Sequence, residues 1–259
     1  MEEPMQGVDY IGLLEALHRE IAPKVYVEIG VESPTRINMS SNVAIGIAPH
    51  PSFTGMLNEN VQMFDETSAD FFLKNDLLRY TCGRPIDLAL LDGVHLFENT
   101  LQDFMNVEKY SHPATVVCIH DVLPQTARMA MREPQPDGWT GDVFGIAIAL
   151  RQHRPDLFVV VLNVPPTGML LISNLDAPNT KLHTDFQEIC AEHACIDYEE
   201  MHSRQSEILK PIDFSSIFID YLKSVKSLNS ELRNLDRLKR IIKSDLRVQF
   251  GYDRQTAAR

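Results

Sequence analysis

Two apolar runs in this chain stop abruptly at ionisable side chains. Leu88-Ala89-Leu90-Leu91 ends in Asp92, with Gly93, Val94 and His95 following, and Val116-Val117-Cys118-Ile119 ends in His120-Asp121. An apolar run of strand length that breaks into charge is how a buried parallel strand reads where its carboxyl end opens into a site. In open α/β sheets, ligands bind beyond those ends. Asp92, His120 and Asp121 form a donor set for Mg2+, Mn2+ or a similar divalent cation, which would hold a substrate hydroxyl and lower its pKa. His95 is the expected general base, because an imidazole titrates near neutral pH. The alternative for the same residues is structural, with Asp92 capping the next turn and His120 a hydrogen-bonded core histidine.

The surrounding pattern supplies the elements that must position these groups. Ile11, Leu13, Leu14, Leu17 and Ile21 recur at helical spacing over 10–21, and Pro23 closes that helix. Strands are predicted over 24–30, 42–47, 60–64, 86–92 and 115–120, and helices over 69–79, 96–110 and 142–153. Strands 157–164 and 169–173 are separated only by Pro165-Pro166-Thr167-Gly168, and so short a link requires an antiparallel hairpin. The fold class is therefore α/β, a Rossmann-like doubly wound and mostly parallel seven-stranded sheet ending in an antiparallel hairpin, with a C-terminal helical extension. The expected domains are a covering helix (1–23), the sheet domain (24–178) and the extension (179–259). The Pro-rich loop over 123–138 is long enough to serve as a lid or substrate loop.

This order of motifs resembles the class I S-adenosylmethionine-dependent methyltransferases. Val27-Glu28-Ile29-Gly30 closes the first strand and Leu91-Asp92-Gly93-Val94-His95 the fourth, as in small O-methyltransferase-like domains with a following His-Asp. The phrases Thr67-Ser68-Ala69-Asp70-Phe71-Phe72, Trp139-Thr140-Gly141-Asp142-Val143, Arg154-Pro155-Asp156-Leu157 and Pro166-Thr167-Gly168 are similar to that branch too. The resemblance implies S-adenosylmethionine as cofactor, bound by Glu28, Gly30, Thr67, Ser68, Asp70 and Asp92. It implies catalysis by His95 and Asp92 and methylation of a small-molecule or carbohydrate hydroxyl. Gly30 is expected to let the backbone approach the cofactor, and Glu28 to accept from its ammonium or to fix the loop. Trp139 and Asp142 are candidates for lining the acceptor pocket. Thr67, Ser68 and Asp70 are expected to border the adenine, with helix capping as the alternative for Ser68 and Asp70.

Two departures from the family pattern stand out. The loop after the first strand reads Val31-Glu32-Ser33-Pro34-Thr35-Arg36 where another glycine and a small hydroxyl residue are usual. The second strand runs into Ala48 where an acidic residue usually holds the ribose hydroxyls, which removes a charged hydrogen bond of about 1.5–3 kcal/mol. His50 is a candidate to compensate. A catalytically inactive descendant acting as an interaction module is accordingly the runner-up reading. A dinucleotide-dependent oxidoreductase is disfavoured, because no Gly-x-Gly-x-x-Gly follows the first strand.

Composition narrows the setting. The 259 residues carry a net charge of -12. From Tyr221 to Arg259 ten Lys/Arg stand against four Asp/Glu, +6, so residues 1–220 hold -18. An acidic body argues against a nucleic-acid partner. No apolar run is long enough for a membrane span and no signal peptide is read, so a cytoplasmic setting is expected. Four cysteines do not suggest a disulfide framework. Cys190, His193 and Cys195 lack paired zinc-ligand spacing and fall on an ordinary amphipathic pattern. Over 221–246, Tyr221, Val225, Leu228, Leu232, Leu235, Ile242 and Leu246 alternate spacings of four and three, with Lys239 interrupting. That coiled-coil seam is expected to join subunits into a homo-oligomer.

Overall fold

The computed structural model describes residues 7–136 and 138–214. The seam expected over 221–246, and with it the expected oligomer contact, lies outside the described residues. Strands β1 (Val25–Ile29), β2 (Val43–Ile47), β3 (Val61–Phe64), β4 (Ile86–Leu91), β5 (Ser111–His120), β6 (Phe158–Leu162) and β7 (Met169–Ser173) form one sheet in the order β3-β2-β1-β4-β5-β7-β6. The first five pair in parallel, while β7 runs antiparallel to both β5 and β6. The four-residue link at 165–168 has the consequence read from its length, and the Rossmann-like doubly wound architecture is as expected.

Side chains alternate between the two faces of each strand. Val25, Val27 and Ile29 with Ala89, Leu91, Val117 and Ile119 build one core, and Tyr26, Ala44, Leu88, Leu90, Val116 and Cys118 build the other. The second core is covered by α1 (Tyr10–Ile21), whose Leu13, Leu14 and Leu17 are fully buried. Asp9 caps α1, and the Tyr10 amide donates to Pro165 O at 3.0 Å, which ties the helix start to the β6–β7 hairpin.

Short α2 (Pro34–Ile37) follows β1, with Ser33 at the N-cap and Pro34 in the first turn, where a missing N–H costs nothing. Next come α3 (Ser68–Lys74), α4 (Phe97–Glu108) and α5 (Gly145–His153). The helix expected over 69–79 is interrupted. It stops at Lys74, and a separate 3-10 turn, Leu77–Arg79, starts from Asp76, whose side chain accepts from the Leu78 amide. A local side-chain acceptor of this kind competes with helix continuation.

Beyond β7, helices α6 (Lys181–Thr184), α7 (Phe186–His193), α8 (Tyr198–Ser203) and α9 (Gln205–Ile208) lay Leu182, Ile189, Met201 and Leu209 onto the first core. Ile212 then bridges Leu162 at the sheet edge. The Arg154-Pro155-Asp156 phrase serves this packing. Buried Arg154 grips Glu108 through two hydrogen bonds of 2.7 and 2.9 Å and also reaches Asp156. Among the described residues, no helix is long and apolar enough to cross a membrane.

Candidate active site at the carboxyl ends of β1, β4 and β5

The parallel register sets Ile29 beside Leu91 and Leu91 beside Ile119. Asp92 and the His120-Asp121 pair therefore leave the sheet at the same level. Asp92 Oδ1 lies 3.3 Å from His120 Nδ1 and 3.5 Å from His95 Nε2, and Asp121 Oδ2 lies 3.3 Å from His95 Nε2. Asp92, His95 and Asp121 each bring one ligand atom within 4.8 Å of the others. The four residues named from sequence thus form one cluster.

The proton positions follow from the partners. His95 Nδ1 is 2.7 Å from the Trp139 carbonyl oxygen, which can only accept, so Nδ1 carries the hydrogen and Nε2 faces the carboxylates. Thr167 donates to Asp121 and so accepts from His120 Nε2 at 3.3 Å, which turns His120 Nδ1 toward Asp92. The Tyr10 ring stacks on His120 with centroids 4.2 Å apart. Asp121 itself has φ 63°, a left-handed conformation that Asp tolerates better than most residues and that recurs at functional sites.

Electrostatics follow the same geometry. Burial raises a carboxyl pKa, yet hydrogen bonds from His120 and His95 and the charge of Arg36 hold Asp92 well below the usual range. Burial, together with the neighbouring Asp92 charge, raises Asp121. Burial works against the His95 cation, but Asp92 and Asp121 outweigh it and push His95 up to about 9. The sequence expectation of an imidazole titrating near neutrality is corrected on this point, because two carboxylates flank the same nitrogen.

Arg36 is the residue that sequence reasoning passed over. It is 2% exposed, and α2 carries it under the loop after β1. Its Nε donates to Glu28 Oε1 at 2.9 Å, Nη1 to Asp92 Oδ2, and Nη2 to the Gly30 carbonyl at 2.8 Å. Desolvation opposes the cation, but Asp92 and Glu28 keep it charged. The other Glu28 oxygen accepts from Tyr26 Oη at 3.0 Å. Of the two roles weighed for Glu28, the one seen is fixing the loop. A buried arginine beside two strand-end carboxylates was the available signal, but an arginine in a polar loop reads as solvated until the fold buries it.

Gly30 has φ 86°, and a Cβ there would fall 2.0 Å from the Asp92 carbonyl oxygen. Its glycine is needed for close passage of β1 past β4, a cause different from the expected approach to a cofactor. The Pro-rich loop folds back onto the site. Thr140 and Gly141 amides donate to Met129 O, and at Gly141, φ 56°, a Cβ would lie 1.6 Å from His95 O. Trp139 stands beside His95, with ring centroids 5.2 Å apart. Asp142, a candidate pocket residue, is instead buried, accepting from the Phe97 amide at 2.7 Å and pairing with Arg132.

At the β3 side, Thr67 caps α3 by accepting from the Asp70 amide, and Asp70 pairs with Lys74 at 3.0 Å. Ser68 bonds Asp103, a buried carboxyl pushed up to about 7 by desolvation, which in turn lies against Gly93. Beyond β2, the Ala48 amide donates to Phe64 O, so Asp65 follows at the same level, and its Oδ1 accepts from the His50 amide at 2.6 Å.

The family model for the methyltransferase domain matches residues 6–122, the segment holding β1 to β5 and all four clustered residues. The resemblance drawn from the motifs is thereby borne out. Among solved structures, cofactor-bound Rv0187 from MTB is similar at 14% identity and a TM-score of 0.50, covering 68% of this chain and 84% of that one. The O-methyltransferase TomG from Streptomyces achromogenes in complex with SAM shows 17% identity and a TM-score of 0.47, covering 63% and 78%. At 14% identity the likeness to Rv0187 speaks for the fold. No curated protein matches the chain in sequence.

Proposed function

We propose that this chain, a methyltransferase by its domain and fold, moves the methyl group of S-adenosylmethionine to a hydroxyl of a small-molecule or carbohydrate acceptor. The observation that carries the reading is the convergence of Asp92, His95, His120 and Asp121 beyond β4 and β5.

The residues present fit the cofactor's groups at the rim. Asp65 with His50 offers the carboxylate that Ala48 lacks for the ribose hydroxyls. Glu32, whose side chain is 72% exposed, offers a partner for the ammonium, and Arg36 Nη1 at 4.0 Å moderates its charge. Thr67, Ser68 and Asp70 are assigned to the adenine side, with Ser68 bonded to Asp103, which lies against Gly93. In this reading Glu28, Gly30 and Asp92 act through the loop they hold with Arg36.

When bound, S-adenosylmethionine would supply the methyl group, its sulfur keeping the electron pair of the carbon–sulfur bond as a thioether while the acceptor oxygen bonds to the methyl carbon. The hydroxyl proton passes to His95 Nε2 in the fraction of molecules whose imidazole is neutral, with Trp139 O holding the other proton on Nδ1. Asp92 and Asp121 with a flanking imidazole would hold a divalent cation. The donor atoms that stand within 4.8 Å of one another are those of Asp92, His95 and Asp121, so an ion there would compete with the proton for His95 Nε2. The imidazole favours a transition ion over Mg2+. Such an ion would supply Lewis-acid lowering of the acceptor hydroxyl's pKa.

Calorimetric titration with S-adenosylhomocysteine, followed by an acceptor screen with and without chelator, tests the reading. Binding near Gly30 and transfer lost in Asp92→Asn support it. Asparagine is the better probe, since alanine would strip Arg36 of a buried partner. Absence of any binding would instead favour the interaction-module reading.

A further inference from the structure

Outside the strand-end cluster, α5 and α7 end side by side. The last residue of α5, His153, meets the last two of α7, Glu192 and His193. His153 Nε2 is 3.3 Å from His193 Nε2 and 3.2 Å from Glu192 Oε2, and His193 Nε2 is 3.5 Å from the same oxygen. Donor atoms bound to one tetrahedral Zn2+ at about 2.0–2.1 Å stand about 3.3–3.4 Å apart. All three edges measured here match that spacing.

The two imidazoles meet edge to face at 87°. His193 is 5% exposed, and its Nδ1 is buried with no hydrogen-bond partner among the described residues. The contacts that hold this ring are His153 and Glu192 at Nε2 and the Phe97 ring, with centroids 6.1 Å apart. The remaining polar neighbour, Gln152 Nε2, donates to Glu192 Oε2 at 3.3 Å and orients the carboxylate.

We infer that His153, Glu192 and His193 form a Zn2+ site, separate from the strand-end cluster, that clamps α7 onto α5. Two imidazoles and one carboxylate are a donor set of the zinc class, and they leave a fourth position for water. The site fastens the 186–193 segment, whose His193 lies against Phe97 in the helix that follows His95, and two residues on the Cys195 amide donates to Asp142 Oδ2. Cys190 and Cys195 take no part in it. The partner that completes His193 lies forty residues upstream.

The test uses untagged full-length protein, stripped with chelator, in an Asp92→Asn background that weakens the strand-end cluster. Titration with Zn2+ by calorimetry and with Co2+ by visible absorption is expected to give one equivalent bound and the intense bands of tetrahedral Co2+. Zn2+ is also expected to raise the melting temperature. His153→Gln, at a partly exposed position, is expected to weaken binding at least tenfold and to abolish the thermal shift. Glu192→Gln, on a side chain 43% exposed, provides a second probe with the same expectation should His153→Gln fail to fold. Unchanged Zn2+ affinity in both variants overturns the proposal. So does the absence of binding in the Asp92→Asn background, which would leave a pair of histidines sharing a proton.

Discussion

Arg36 Nε and Glu28 Oε1 are 2.9 Å apart with both side chains shut off from water, the arginine 2% exposed and the glutamate 0%. The pair joins α2 to β1, and the same guanidinium reaches Asp92 on β4 and the Gly30 carbonyl. One side chain thus fixes the loop that borders the candidate site. Breaking a buried pair by removing one partner typically costs about 3–5 kcal/mol. Arg36→Met is expected to lose stability of that order in urea unfolding. Arg36→Lys is expected to recover little of it, since a point charge cannot serve three acceptors set around a planar fork.

The pH dependence of transfer should follow His95. Its pKa is raised from 6.5 to about 9 by Asp92 and Asp121 against the effect of burial, so the neutral, proton-accepting form accumulates only as pH rises through about 9. Rates of the chelated enzyme are expected to climb from pH 7 to 9. The same shift contributes stability that is fully present below 6.5 and is lost as pH passes through about 9, on the order of 3 kcal/mol. His95→Gln should flatten both curves, and a pH-independent rate in the wild type would remove His95 as the base.

Cofactor affinity should depend on the carboxylate at the β2–β3 edge. Asp65→Asn is expected to weaken S-adenosylhomocysteine binding by about tenfold, the scale of one charged hydrogen bond, while leaving the fold intact because the Asp65 side chain is 63% exposed. Ala48→Asp is expected to tighten it. Calorimetry on the three proteins decides, and equal affinities would separate this edge from the ribose.

Asp103 supplies a stability test independent of catalysis. Desolvation raises its carboxyl from 3.8 to about 7, with Ser68 opposing. The unfolded chain ionises first, so stability falls as pH climbs from about 4 toward 7. Asp103→Asn, which needs no ionisation, is expected to gain on the order of a few kcal/mol at pH 8 and little at pH 4, measured by urea unfolding at both.

The sequence by itself determined the sheet and the identity of the clustered residues. Apolar runs such as Leu88–Leu91 fix buried parallel strands, the four-residue link at 165–168 permits only a hairpin, and the ionisable residues ending β4 and β5 meet because parallel register sets their ends at one level. The α1 bounds, 10–21, follow from spacing alone. Tertiary structure decided what depends on who stands opposite whom. Arg36 gained its role only when α2 turned it beneath the β1 loop. The requirement for glycine at position 30 came from the Asp92 carbonyl, sixty-two residues away. The tautomer of His95 is set by the Trp139 carbonyl, just past the Pro-rich loop, and its pKa by two carboxylates from different strands. Likewise His193 acquired His153 as a neighbour through helix packing. Periodicity and run length report local burial, whereas burial of charge and the sharing of protons are settled by partners distant in sequence, which only the fold brings within hydrogen-bond reach.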